Sequence, residues 1–577
     1  MRVFVDVIVP VHNASETIEE TVKSAMEQTI PAYLLNTATE KHCCSTADLD
    51  PHVNDTYERY SLKDVHIDVA VCCQNDGSTD ESLNLLHKLE EHYKEQKDES
   101  STGTGTCNRT RIVSSQLLIA SNEDGVAKGA GAARNGAASL RAKLRPISSE
   151  EFDKSMYFIC LLDSDDVMHP HRIAHQVSVM LALSPEARNA TLLGSTFDRI
   201  PADSTWHYTQ WANSLSDERL MLERYREVTI LQPTWILTKA RFDLLGGYSE
   251  PSDLKLLEQT SNGDDSAVYK LIHVQYDTPQ TLRLAEDLRL FHAHLAHPYV
   301  YETNTENKNN APNIRGTLKL IRTKDPLMSY RHRAGQSQSS WTPRKLLLQL
   351  RVKAFTDTIL RKDPSWSFSK AEKEGGFVIW GAGRDGKAFF KSLPEDIKAH
   401  VRCFVDVDEM KIASGYYIMP KENQNQAVGG EDDPVGPKCK GKECYKIPIV
   451  HFSLLARDDD KRRELMDIWI NGSGGSGEHN DEDEAAGRIN KRKPDEEEGD
   501  VQPPPSKRPK IPTPKRKRKL HAIAPKKDKL NHEMLERNTL ASLPVVVCVA
   551  MYRTNGVLEN NVKNIGRTEG VDLWHFI

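Results

Sequence analysis

Short apolar runs alternate with helical stretches over the first 340 or so residues of this chain. The runs at 5–10, 67–73, 112–119 and 157–162 are rich in Val, Ile and Leu and end in turn-forming residues. This is the pattern of strands in a mostly parallel, βαβ-built sheet. Polar stretches at 31–64 and 94–110, the latter with Ser100-Ser101-Thr102-Gly103-Thr104-Gly105, read as surface insertions. Leu346, Leu347, Leu350, Phe355 and Leu360 recur at helical spacing and predict a connecting helix over 343–362. A second α/β unit opens at Gly376-Phe377-Val378-Ile379-Trp380, continues through Phe404-Val405-Asp406, and resumes at Pro448-Ile449-Val450 and Val545-Val546-Val547.

The expected fold class is therefore α/β in two units. Residues 1–340 form the larger domain, 341–372 the connection, and 373–470 with 536–577 the two parts of a smaller Rossmann-like domain. Between those parts, 471–535 shifts to Gly/Ser, then acids (Asp481 to Glu484, Glu496 to Glu498), then Pro and Lys/Arg with almost no aromatics. Such a segment buries too little to offset its ordering entropy and is expected to be disordered.

Composition narrows the function classes. A length of 577 residues implies roughly two to four domains. The net charge of -6, from 77 basic and 83 acidic residues, gives no global attraction to nucleic acid or anionic lipid. Ten cysteines occur without CxxC spacing, several inside apolar runs, so buried reduced thiols in a cytosolic protein are expected. The N-terminal run from Arg2 to Pro10 contains Asp6 and is too short for a signal peptide, and no run of ~18 apolar residues suggests a membrane span.

The most informative chemistry is Leu161-Leu162-Asp163-Ser164-Asp165-Asp166, an apolar strand running into clustered carboxylates. Repelling carboxylates on a rigid strand end suit a hard cation such as Mn²⁺ or Mg²⁺ bridging diphosphate oxygens; equally, Asp163 and Asp165 would serve as helix caps. Two more strand ends weigh toward the ligand: Val9-Pro10-Val11-His12-Asn13 and Gln74-Asn75-Asp76-Gly77-Ser78-Thr79-Asp80. Ligands of open α/β sheets sit at such carboxyl ends. Asp76 is placed to accept from a base N–H.

The order PVHN, NDGSTD, DSDD resembles the inverting family 2 glycosyltransferases of GT-A fold, over residues 1–340. LLDSDDVMHPHRI, QPTW and the C-terminal GAG segment are similar to the N-acetylglucosaminyltransferase-like group within it. The resemblance implies transfer of a sugar, N-acetylglucosamine in that group, from a UDP-sugar to an acceptor hydroxyl. It implies that Pro10, Asn13 and Asp76 line the nucleoside pocket and that Asp163 and Asp165 flank the diphosphate, with Asp165 on the metal. Arg134, in Gly129-Ala130-Gly131-Ala132-Ala133-Arg134-Asn135, matches the GxxxARN segment and would contact the diphosphate. Ala285-Glu286-Asp287-Leu288 resembles the ED motif, making Asp287 the general base and Glu286 its support, although an acid pair is also common at a helix start. Trp235 in QPTW is either a sugar-stacking indole or core. The closing Tyr330-Arg331-His332-Arg333 departs from YRxH, because arginine stands where the histidine belongs. Either His332 turns toward the metal or Arg333 supplies charge to the leaving phosphate.

Two other function classes remain open. Gly381, Gly383 and Gly386 follow a strand and precede a helix, with Asp406 about twenty residues on, which is the dinucleotide-binding arrangement. An NAD(P)-dependent oxidoreductase is the rival reading, although no substrate-reduction constellation follows. Lys507-Arg508-Pro509-Lys510 and Lys515-Arg516-Lys517-Arg518-Lys519 form a split basic cluster, readable as a nuclear-import signal or a nucleic-acid patch. With no interleaved aromatics, base stacking lacks a platform and nucleic acid is not the expected partner.

Overall fold

The computed structural model describes residues 1–35, 58–102, 114–144, 156–251, 253, 277–296, 319–333, 341–361, 375–421, 443–472, 540–549 and 556–576. The basic cluster and nearly all of the insertion at 471–535 lie outside them.

Two sheets organise the described chain. The first contains β1 (Arg2–Val11), β2 (His66–Asn75), β3 (Ser114–Ser121), β4 (Tyr157–Leu161), β5 (Val167–Met168), β6 (Thr191–Ile200), β7 (Ile236–Thr238) and β8 (Lys319–Arg331). Their order is β3-β2-β1-β4-β7-β6-β8-β5. β3, β2, β1 and β4 run parallel, whereas β7 is antiparallel to both β4 and β6. The four strands anticipated from the apolar runs are thus the parallel half, and the polar stretch at 94–110 begins as the end of the helix Ser82–Thr102.

β1 is almost wholly buried, as a strand covered on both faces must be. Its one acid, Asp6, is fully buried and accepts from Arg141 Nε (2.5 Å) and the Tyr157 hydroxyl (2.5 Å). Burial alone would hold this carboxyl neutral and does raise its pKa; the Arg141 guanidinium, which also bonds Asp68, opposes that.

The second sheet contains β9 (Phe377–Trp380), β10 (Val401–Asp406), β11 (Tyr416–Pro420), β12 (Cys444–His451), β13 (Val545–Val547) and β14 (Leu573–His575), in the order β11-β12-β10-β9-β13-β14. All neighbours are parallel except β11 against β12. Mixed α/β with a second sheet domain is therefore the fold class.

The helix Arg344–Phe355, continued by a wider turn through Thr356–Leu360, joins the two. Phe355 packs on Trp574 and Phe576 at ring distances of 6.3 and 5.7 Å, Tyr225 meets Trp574 at 5.5 Å, and Arg219 pairs with Glu569 at 2.6 Å. One hydrophobic cluster runs through both sheets.

Cys72, Cys73, Cys160, Cys403 and Cys548 are buried free thiols, but Cys444 is disulfide-bonded, which corrects the expectation of thiols throughout. Among the described residues no helix is long and apolar enough to cross a membrane.

Candidate functional site

The strand order reverses between β1 and β4, since β2 and β3 lie on one side of β1 and β4 on the other. The carboxyl ends at this switch point are Pro10 to Asn13, Asn75 to Asp80 and Leu162 to Asp166, so the topology gathers the three motifs into one crevice.

Asn13, in the left-handed region (φ 50°), locks the first two together: its Oδ1 accepts from Thr79 N (2.8 Å) and its N–H donates to Ser78 Oγ (3.0 Å). Gly77 is required by close approach, because a Cβ there would lie 2.6 Å from the Gly125 carbonyl oxygen at φ +64°. Asp76 is buried and accepts from Lys128 N (2.7 Å), Gly129 N (2.8 Å) and Asn122 Nδ2 (2.6 Å). Three of a carboxylate's roughly four lone-pair positions are thereby used, leaving room for one further donor.

Arg134, carried by the helix Ala130–Leu144, is the hub. It is buried and donates to Asp163 Oδ1 (2.6 Å) and to Glu286 Oε1 (2.9 Å), with its guanidinium over the Tyr248 ring at 5.3 Å. Burial disfavours its charge most, but Asp163, Tyr248 and Glu286 together raise its pKa well above the ordinary value. Its Nε is buried without a hydrogen-bond partner. The DSDD strand end and the Glu286–Asp287 pair, more than a hundred residues apart, are thus one network.

Asp166 is fully buried: Oδ1 accepts from Arg331 N (2.8 Å), while Oδ2 has no partner. Burial, then Asp163 and Asp165, push its pKa well up; burial and Asp163 also raise that of Asp165. Among the described residues the side chain paired with the Asp165 carboxylate is Arg333, Nε to Oδ2 at 3.5 Å, with Nη2 on Thr17 Oγ1 (2.9 Å). His332 donates its main-chain N–H to Ile200 O (2.8 Å). Arg331 bonds the Asp165 carbonyl and Glu20.

A divalent cation fits this donor set: an orphaned carboxylate oxygen beside two acids that repel it is stabilised by a hard positive charge. Among the described residues no three His, Cys, Asp or Glu side chains could hold a metal by themselves. A cation here would share its ligands with phosphate oxygens.

Asp287 begins the helix Glu286–Ala296, entered through Ala285 at φ 54°, a strained conformation for a residue with a Cβ. Its Oδ1 accepts from Leu288 N (2.7 Å). Burial, then the charges of Glu286 and Glu227, raise its pKa to about 7. Tyr248, under the Arg134 guanidinium, and Thr17, on Arg333, carry no motif and were not singled out from sequence; they enter the site only because the chain returns there.

Of the two readings of Trp235, core is the one met. Its indole is fully buried, donates to Ile230 O (2.7 Å) and stacks on Phe291 at 6.1 Å, so it faces the core and not a sugar.

At the second sheet, the switch point lies between β9 and β13, where Gly381 (φ +115°) and Gly383 turn into the helix Arg384–Ser392. A Cβ on Gly386 would sit 1.8 Å from the Gly381 carbonyl oxygen, so this glycine serves close helix-to-strand packing. Asp406 accepts from Ala382 N (2.8 Å), Val407 N (2.9 Å), Asp408 N (3.0 Å) and Lys411 Nζ (3.1 Å). Its lone pairs are taken up by its own loop, the glycine loop and Lys411, which leaves none for a ribose hydroxyl.

No family model matches the chain. Among solved structures, residues 1–349 of Staphylococcus aureus TarS in complex with UDP-GlcNAc are similar at 15% identity and a TM-score of 0.33, covering 69% of this chain and 83% of that one. A mannosyltransferase of Pyrobaculum calidifontis in complex with GDP-Man and Mn²⁺ is similar at 12% identity and a TM-score of 0.30, covering 62% and 65%. Likenesses this distant carry no functional weight.

Proposed function

We propose that this chain is an inverting glycosyltransferase that moves a sugar from a UDP-sugar to an acceptor hydroxyl, with residues 1–340 as the GT-A-like transferase domain and the smaller domain as scaffold. The observation that carries this reading is the Arg134 bridge, 2.6 Å to Asp163 and 2.9 Å to Glu286. It sets the carboxylate that flanks a diphosphate beside the carboxylate pair that would deprotonate an acceptor. N-acetylglucosamine as the sugar rests on the resemblance of DSDD, QPTW and the GAG segment.

The nucleoside sits on Pro10, Asn13 and Asp76, and Arg134 and Arg333 face the diphosphate. Mn²⁺ or Mg²⁺ at Asp165, with Asp163 beside it, would neutralise charge on the departing diphosphate. Asp287 takes the proton of the acceptor hydroxyl as that oxygen bonds to the anomeric carbon in line, and the bond from that carbon to the phosphate oxygen breaks; the electron pair leaves with UDP. A base near pH 7 with a donor shell of arginines suits this step.

Thermal stabilisation of wild type and Asp165→Ala by UDP-sugars and by NAD, each with and without Mn²⁺, tests the reading, because a ligand of the native state raises its stability. The expected result is a UDP-sugar shift that needs Mn²⁺ and is lost in the variant. A shift with NAD alone would transfer the function to the Gly381 loop.

A further inference from the structure

β7 is antiparallel both to β4 and to β6, so β6 runs parallel to β4 and its carboxyl end lies on the same edge of the sheet as the crevice. Arg199 is the last residue but one of β6. It is in register with Tyr330, which precedes Arg331, and the Arg331 N–H donates to Asp166 Oδ1; one residue on, Ile200 O accepts from His332 N. Hydrogen-bonded backbone thus ties Arg199 to the loop of clustered acids.

Arg199 is 8% exposed, and its guanidinium stands over three rings: Tyr330 at 4.4 Å, Phe197 at 5.3 Å and Tyr208 at 5.7 Å. Its hydrogen-bond acceptors are hydroxyls, Thr209 Oγ1 at 3.0 Å from Nε and that of Tyr330. Other buried arginines have stronger acceptors. Arg141 and Arg289 donate to Asp6, Asp68 and Asp277, and Arg172 and Arg188 to main-chain carbonyls. Among the buried arginines of the described residues, Arg199 alone donates to neither a carboxylate nor a carbonyl. Aromatic rings replace only part of the hydration that a buried guanidinium loses. Burial accordingly lowers its pKa, against Tyr330, Tyr208 and Asp166. A fork of N–H donors left in this state fits an oxyanion, phosphate or carboxylate, bidentately.

Sheet order separates the two substrates. The nucleoside pocket proposed above lies at the ends of β1 and β2, whereas β6 stands three strands from β1 on the side away from β2. At ~4.8 Å per strand this is about 14 Å. A donor seated at β1 and β2 places its diphosphate at the acids after β4, which leaves Arg199 on the acceptor's side of them.

We propose that Arg199 receives an oxyanion carried by the acceptor, so that the acceptor is a phosphate- or carboxylate-bearing molecule and not a neutral glycan. This rests on the transferase reading above.

The test titrates the full chain calorimetrically with methyl phosphate and with acetate, at constant ionic strength and with UDP and Mg²⁺ present to fill the donor site. It compares wild type with Arg199→Met, Arg199→Gln and Arg199→Lys, and UDP affinity and the urea midpoint are measured on each; the Gln variant keeps a donor for Thr209 should the Met variant fail to fold. At least one of the two anions is expected to bind wild type, to bind the neutral variants at least tenfold more weakly and to recover in part in Arg199→Lys, with UDP affinity the same throughout. No anion binding to wild type, or equal binding by a folded neutral variant, overturns the assignment. A tenfold loss of UDP affinity in the neutral variants, restored by Arg199→Lys, moves Arg199 to the donor diphosphate and overturns it as well. Failure of UDP to bind wild type while anion binding still depends on Arg199 would instead sink the transferase reading and leave the anion site standing.

Discussion

Acids at the ends of two parallel strands show how one architecture is put to two uses. Asp406, at the end of β10, is closed off by four donors: Val407 N and Asp408 N of its own loop, Ala382 N of the glycine loop after β9, and Lys411 Nζ. The acids after β4 are held differently: Asp163 and Asp165 meet arginines delivered from distant segments, and Asp166 keeps an oxygen with no partner. A carboxylate saturated by main-chain N–H groups and a lysine ties its loop to the next one and has nothing left for a ligand. Carboxylates crowded together and answered from afar stay poorly compensated, which costs stability and leaves charge available for a substrate.

The contrast breaks most severely at the hub. Arg134→Ala should destabilise the chain by roughly 3 to 5 kcal/mol, because it leaves Asp163 and Glu286 without their buried cation, and should abolish UDP-sugar stabilisation; urea denaturation with and without donor measures both. An unchanged midpoint would mean that the network is dispensable.

Next is Asp287. Transfer should rise with pH through about 7 as the base loses its proton, and Asp287→Asn should lose roughly 10²- to 10⁴-fold in rate while donor binding persists. The sign for stability is opposite. A carboxyl raised in the folded state favours folding when protonated, so its contribution is full below about pH 4 and is lost as pH climbs to about 7. The Asn variant should therefore be the more stable protein above pH 7, by on the order of 1 to 3 kcal/mol after discounting for partial exposure. A melting series across pH that shows no such crossover removes Asp287 from this role.

A smaller effect belongs to the second region. Asp406→Ala should cost about 1 to 3 kcal/mol by orphaning loop donors, with UDP-sugar stabilisation untouched; a lost donor response would erase the distinction between the two loops. The smallest separates a resident cation from a bound one. Arg333 sits against Asp165 with both side chains about a quarter exposed, so Arg333→Ala should tighten Mn²⁺ binding about tenfold, or 1.4 kcal/mol, readable by electron paramagnetic resonance. Unchanged or weaker binding would show that Arg333 does not compete.

Much of the sheet was legible beforehand because buried parallel strands are continuous apolar runs: β1, β2, β4, β9, β10 and β13 all fall on such runs. β5, β7 and β14 are two or three residues long, too short for any periodicity to register, and β8 is interrupted by Lys324, Asp325 and Pro326. The motif residues of the crevice were legible as strand-end acids and turn residues. Trp235 was not, since an indole beside a turn has the same local pattern whether it faces a sugar or the core.

By itself the sequence determined local character: which segments are apolar enough to be strands, where glycine is needed to turn, and which strand ends carry acids. These follow from neighbours along the chain. Tertiary structure alone decided the partners: that Arg134 joins Asp163 to Glu286, that Arg333 pairs with the Asp165 carboxylate, that the charge of Glu227 acts on Asp287, and that the glycine loop after β9 helps to satisfy Asp406. The reason is physical. Charge interactions depend on distance through space and on burial, and neither is defined for two residues until the chain between them has folded.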